Sequence, residues 1–328
     1  MAPALDALAE DGRLRQALAG PLGRLYQVTH ELAYLRTAFV NVFFLGRPGA
    51  GDRDWVLVDT GIPGSAGRIR AAAAQRFGPL SRPAAIVLTH GHFDHVGTVK
   101  ELAEEWDVVV YAHESELPYL TGRSAYPPPD PTVGGGAMAA MSFLYPKAPI
   151  DLGNRVSPLP ADGTVPHADR WRWIHTPGHT QGHVSLFRDD DATLIAGDAF
   201  VTTRQESLLS VIEQRAEVNG PPMYFTPDWR SAATSVRALA ELTPRVAATG
   251  HGPPLHGSRM LEELERLAYG FEQLAVPTRG RYVGRPAVMD DDGVVWVPPR
   301  TVASQIVMGA AALAVGLLLF RTLRTRKY

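Results

Sequence analysis

Cysteine is absent from the 328 residues. That excludes disulfides and thiolate metal ligands, so any transition-metal site must be built from histidine, carboxylate and water. Lysine is nearly absent as well, occurring only at 100, 147 and 327. No basic block interrupts the main body, the formal charge is −2 and the pI is near 6.6, which leaves nucleic-acid binding without an electrostatic footprint. Arginine supplies nearly all the positive charge amid abundant alanine, glycine and proline, so the lysine deficit reads as codon bias. No export signal is expected over the first residues, because Asp6, Glu10 and Asp11 interrupt what would need to be an apolar run. Residues 1–20 read instead as a loosely docked amphipathic helix.

Against these absences, a hydrophobic content of 45% supports a packed core, and the length suits one large domain or one domain plus additions. The far end is different in kind. Residues 301–320 read TVASQIVMGAAALAVGLLLF, with no polar side chain in 306–320. As a helix, twenty residues span about 30 Å, the thickness of a bilayer core. The run is apolar all round, which argues against one-sided burial, so a transmembrane helix is expected there. Arg300 flanks one end, and Arg321, Arg324, Arg326 and Lys327 follow the other. The basic tail alone favours a cytoplasmic C-terminus. The missing export signal favours a cytoplasmic catalytic domain held by a C-terminal anchor, and that is the reading adopted. Ala312 and Gly316 form a small-xxx-small pair suited to helix pairing and a homodimer.

Along the body, strands are expected at 25–29, 40–45, 55–58, 85–88, 108–111, 171–175, 183–187, 193–196 and 246–248. Helices are expected at 67–77, 96–106, 226–242 with Thr226 as cap and Pro227 at the first position, and 258–274. A final hairpin is expected over 283–297, around Asp290 to Gly293. Residues 123–136, rich in proline and glycine, read as a loop suited to a lid or a substrate-facing insertion.

One run stands out chemically. Thr-His-Gly-His-Phe-Asp-His at 89–95 packs His90, His92, Asp94 and His95 into six residues where a strand ends and a helix begins. Three histidines and one aspartate at fixed places arise by chance on the order of once per 10⁶ start positions. Further ligand types follow expected strands and adjoin glycine: His179 after Gly178, Asp198 after Gly197, and His251 between Gly250 and Gly252. Any one of these alone would read as a turn residue. His183 reads as a structural hydrogen-bonder, and His30, His113, His167, His175 and His256 as structural or exposed.

With Asp59 in Val-Asp-Thr-Gly, the His-x-His-x-Asp-His run at 90–95, His179, Asp198 and His251, the chain resembles the metallo-β-lactamase-fold hydrolase superfamily over about residues 25–258. The resemblance is nearer its glyoxalase II and lactonase branch. It implies an α/β fold, a four-layer αββα sandwich with two metals at one edge. By position, His90, His92 and His179 would hold the first metal, Asp94, His95 and His251 the second, and Asp198 would bridge them. Two divalent ions about 3.5–4 Å apart can share a hydroxide and lower its pKa toward neutrality. Zinc is the expected metal, with iron or manganese as alternatives. Asp94 could shuttle a proton, Asp59 would orient a ligand histidine or its loop, and Tyr224 is a candidate donor to the substrate carbonyl, as in related lactonases.

The expected organisation is an N-terminal segment 1–23, a catalytic domain 24–258, a helix-and-hairpin extension 259–300, the membrane helix 301–320 and a basic tail 321–328. The lack of cysteine and the presence of Asp198 point away from antibiotic hydrolysis, and the missing glutathione-binding helical domain points away from a glutathione thioester. The expected function is hydrolysis of a small-molecule ester, thioester or lactone. A mononuclear iron persulfide dioxygenase and a non-catalytic membrane-tethered metal-binding module are the competing readings.

Overall fold

The computed structural model describes residues 24–300, together with 302 and 309. The expected helix within 1–20, the tail 321–328 and the apolar run 301–320, apart from Val302 and Gly309, lie outside the described residues. No helix among the described residues is long and apolar enough to cross a membrane.

Two mixed sheets form the frame. The first has seven strands in sequence order: β1 (Leu25–Thr29), β2 (Leu32–Thr37), β3 (Val40–Leu45), β4 (Val56–Val58), β5 (Ala85–Val87), β6 (Val110–Ala112) and β7 (Val156–Pro158). Neighbours are antiparallel from β1 to β4 and parallel from β4 to β7. The second sheet holds β8 (Arg172–His175), β9 (Val184–Arg188), β10 (Thr193–Gly197), β11 (Val246–Thr249) and β12 (Leu255–His256), with β10 and β11 parallel. A separate hairpin, β13 (Val288–Asp290) and β14 (Gly293–Trp296), follows.

The period of two along each buried strand sorts side chains to two faces. In β3, Phe43 and Leu45 point into the space between the sheets, where they meet Leu186, Ile195 and Ala248. Val42 and Phe44 point the other way, onto a layer that includes α1 (Ala66–Phe77) and α2 (Val99–Trp106). Ile69, Ala73 and Phe77 make the apolar stripe of α1, and Phe77 stacks on Trp55 at 4.4 Å between ring centres. Behind the second sheet, α3 (Trp229–Glu241) and α4 (Ser258–Tyr269) pack on Leu194, Ala196 and Ala247. The layers are therefore helix, sheet, sheet, helix. Phe271, Tyr282 and Ala287 join that same outer core.

Several local expectations need correction. The cap of α3 is Asp228, which accepts from Arg230 N and Ser231 N at 3.1 Å, while the Thr226 hydroxyl turns back to donate to Pro222 O. Helix α2 begins at Val99 rather than at 96, after the turn that carries the ligands. The expected helix 258–274 is interrupted at Gly270, and the strand expected from 283 is confined to Val288–Asp290. Strand β2 was not expected; it pairs with β1 and β3 on either side.

Candidate metal centre

The parallel strands bring chemistry to one edge. Asp59 directly follows β4, the run 89–95 follows β5, Asp198 directly follows β10 and His251 follows β11. His179 lies in the loop from β8 to β9. This is the carboxyl end of the parallel strands, where open α/β sheets place their ligands. Glycine makes the convergence fit: a Cβ at 250 would collide with Asp198 Oδ1.

All seven expected ligand side chains come together, each buried to at least nine-tenths. His90 Nε2 lies 3.1 Å from His92 Nδ1, which lies 3.0 Å from His179 Nε2. Asp94, His95 and His251 form a second trio, with His251 Nε2 3.5 Å from Asp94 Oδ2. Asp198 Oδ2 stands between the trios, 3.5 Å from His179 Nε2, 3.6 Å from His95 Nε2 and 3.1 Å from His251 Nε2. A neutral imidazole has one N–H, so three ring nitrogens converging at about 3 Å make poor partners for each other. Asp198 Oδ1 and His95 Nε2 are buried without any hydrogen-bond partner. Crowded imidazole nitrogens with orphaned, inward-facing acceptors are the donor set that suits divalent cations.

The far side of two of the rings is fixed as well. His251 Nδ1–H donates to Phe39 O at 2.8 Å, and His95 Nδ1–H donates to Asp59 Oδ2 at 2.8 Å. Asp59 also accepts from Thr89 N at 2.8 Å and Thr89 Oγ1 at 2.9 Å. It thus holds both a ligand histidine and the loop that carries it. An Asp59→Asn protein is expected to bind divalent metal about 10- to 100-fold more weakly, on the order typical of such outer partners. Metal titration against a competing chelator measures this, and wild-type affinity would refute it.

His183 has no nitrogen to spare. Its Nδ1–H donates to Thr176 Oγ1 at 2.8 Å, and its Nε2 accepts from Asp198 N at 2.9 Å, so it positions Asp198. Burial holds its pKa down to about 3, which keeps that acceptor free. Tyr224 lies in an aromatic cluster with Tyr145 and Phe225, and its backbone carbonyl accepts from Asp130 N. Burial, with smaller contributions from Tyr145, Asp94 and Asp198, pushes its phenol well above the usual range and keeps it protonated.

Two supporting residues escaped the sequence reading. Glu116, fully buried beyond β6, accepts on Oε2 from Gly91 N (2.9 Å) and the Tyr126 hydroxyl, and on Oε1 from Thr180 Oγ1 (2.6 Å) and Gly182 N (3.0 Å). It ties the 89–95 loop to the His179 loop. Asn41, the second residue of β3, donates to Thr249 O at 2.8 Å and Gly252 O at 2.7 Å, gripping the His251 turn. The only signal for Asn41 was a lone polar residue in an otherwise apolar strand.

Protons and cations compete for the same nitrogens. Burial lowers the proton affinity of His90, His92 and His179. Burial opposes charge on His95 and His251 too, but Asp198, with Asp59 or Asp94, outweighs it and raises both. In the metal-free protein, protons therefore claim His95 and His251 at a higher pH than His90, His92 and His179. NMR of the imidazole rings during acid titration of the metal-free protein should show that order, and protonation of the first trio before the second would contradict it.

The comparisons agree with this geometry. The Metallo-beta-lactamase superfamily profile matches residues 35–251. The "Probable metallo-hydrolase YflN" of Bacillus subtilis is 48% identical over 234 residues, 71% of this chain and 88% of that one. "Probable metallo-hydrolase YybB" of the same organism is 30% identical over 200 residues, 61% and 76% of the two chains. A beta-lactamase domain protein from Burkholderia ambifaria superposes with a TM-score of 0.50 at 21% identity, over 76% of this chain and 77% of that one, a likeness of fold. With the match spanning every side chain of both trios and Asp198 between them, the chain belongs to the metallo-beta-lactamase superfamily, as a metal-dependent hydrolase.

Proposed function

We propose that the protein is a two-ion hydrolase of a small-molecule ester, thioester or lactone. The observation that carries this reading is the position of Asp198 Oδ2, within 3.1–3.6 Å of ligand nitrogens from both trios. In this reading His90, His92 and His179 would hold one ion and Asp94, His95 and His251 the other, with Asp198 Oδ2 within reach of ligands from both trios. Two such ions, zinc for preference, would supply polarisation of a carbonyl oxygen and a water acidified toward neutrality. The remaining work falls to the chain. Asp59 keeps the His95 ring in the tautomer that presents Nε2 inward. Asp198 is shared among three imidazoles and Asp59 is committed to Thr89 and His95, whereas Asp94 has one imidazole contact, at 3.5 Å. Asp94 is thus the carboxylate with room to take a proton and return it to the leaving group. Phe225, stacked on His92 with ring centres 4.5 Å apart, and Phe93 shield the edge from water.

Elemental analysis of the purified full-length protein, with a panel of esters, thioesters and lactones, tests the reading. About two divalent ions per chain and turnover of at least one class support it. One iron per chain with oxygen consumption would replace it by the dioxygenase reading. We further propose that 301–320 anchors the chain in a bilayer, from the length and apolarity of that run. Recovery of the full-length chain in the membrane fraction, and loss of that recovery on deleting 301–328, is expected; equal recovery of both in the soluble fraction would sink it.

A further inference from the structure

The chain just ahead of the apolar run 301–320 is fixed to the body of the protein. Met289 and Val297 pack against the outer core built on α3 and α4. Tyr282 OH donates to Pro128 O at 2.5 Å, Ala287 N donates to Pro227 O at 3.1 Å, and Val294 N donates to Ser124 Oγ at 3.0 Å. Pro298 is buried, and its carbonyl accepts from the guanidinium of Arg281, itself buried. Pro299 and Arg300 alone separate this fixed point from Thr301, where the apolar run begins. An extended chain covers at most about 3.6 Å per residue, so the run begins within about 11 Å of Pro298. The headgroup layer on one side of a bilayer is about 5–8 Å thick, so the tether can do little more than cross it.

The β13–β14 hairpin ends at this point and shows an apolar surface. Val288 and Trp296 are cross-strand partners, 49% and 45% exposed, and Val295 is 60% exposed. Val302, inside the run, is 72% exposed, so the body of the protein does not cover it. Charge is sorted along the hairpin. Its aspartates, 290 to 292, sit at the turn, where Asp292 pairs with Arg123 at 3.2 Å. No aspartate or glutamate occurs in 276–289 or 293–300, which carry exposed Arg279, Arg285 and Arg300. Exposed valine and tryptophan beside arginine match the boundary layer of a membrane, where an indole ring meets both hydrocarbon and water and arginine meets phosphate.

We infer that the open end of the β13–β14 hairpin rests in the headgroup layer of a lipid bilayer, with Val288, Val295 and Trp296 inserted, so that the catalytic domain keeps one face to the membrane instead of swinging on a tether. The inference rests on the anchoring of 301–320 proposed above and adds a contact surface to it. The three side chains are already exposed, so moving them into lipid breaks no packing within the protein.

The test uses the full-length protein in phosphatidylcholine–phosphatidylglycerol vesicles, floated on a density gradient, with lipids brominated either near the headgroup or near the bilayer midplane as quenchers of tryptophan emission. The chain has six tryptophans, of which Trp55, Trp106, Trp171 and Trp229 are buried and Trp173 is half-buried. Bromine near the headgroup should quench at least about twofold more strongly than bromine at the midplane, and Trp296→Phe should abolish the difference. Val288→Asp combined with Val295→Asp keeps Trp296 as reporter and should cut the quenched share by about half or more, with flotation and metal content unchanged. A chain that floats while Trp296 escapes both quenchers, or whose quenching ignores the two aspartates, overturns the inference. A chain that does not float at all overturns the anchoring reading, and this inference with it.

Discussion

Asp198→Ala should leave about one divalent ion or fewer per chain and cut hydrolysis by about 10³-fold or more, with the fold intact. Asp198 Oδ2 is the carboxylate oxygen that meets imidazoles of both trios, at 3.5 Å to His179 and 3.1 Å to His251. In the two-ion reading proposed above, removing it would take away the negative charge that the two trios share. Charge stabilisation by such ions is worth several kcal/mol in the transition state, and about 4 kcal/mol corresponds to a factor near 10³ in rate. The backbone around position 198 is held independently, since Asp198 N donates to His183 Nε2 and Gly250 N donates to Gly197 O. A catalytic loss without unfolding is therefore expected, read by elemental analysis, kcat/KM and circular dichroism together. Activity within about tenfold of wild type would refute the bridging role.

Stripping the ions should lower the midpoint of thermal unfolding by about 10 °C. Asp94 and Asp198 are buried carboxylates set among five buried imidazoles, and cations offset the cost of keeping those charges out of water. Ions present at about a thousandfold their Kd contribute about 4 kcal/mol, and for a domain of this size each kcal/mol moves the midpoint by about 2–4 °C. Calorimetry before and after chelation, then after zinc is restored, measures the drop and its reversal. A midpoint that ignores the chelator would mean that these groups meet their charge within the protein alone.

The seven site groups were legible in the sequence for a physical reason. Each lies within a few residues of a short apolar strand, beside a glycine or within the dense 89–95 run, so local pattern and local chemistry coincide. Asp59 was legible for the same reason. Glu116 and Asn41 were not, because their work is defined by partners far along the chain: Glu116 reaches Gly182 and Asn41 reaches Gly252. Strand β2 was missed because its buried positions alternate with Tyr34 and Arg36 and meet β1 across a tight turn at His30 and Glu31, with no glycine or proline to mark it. The cap at Asp228 was misplaced because Thr226-Pro227 mimics a helix start, while the carboxylate two residues on has the better geometry. The bond from Tyr282 to Pro128 O could not be read at all, since its partners lie 154 residues apart with no local pattern linking them.

One trio draws all its imidazoles but one from the first sheet's loop, and the other does the same with its ligands; the exceptions, His179 and His251, come from the second sheet, as does Asp198. Neither half of the molecule alone can encircle an ion. Divalent cations held here would act as rivets across the seam between the halves, and full-strength capture would require both halves to be docked. In refolding, the appearance of tight metal binding would thus report that docking, and a ligand change on either half would loosen the other.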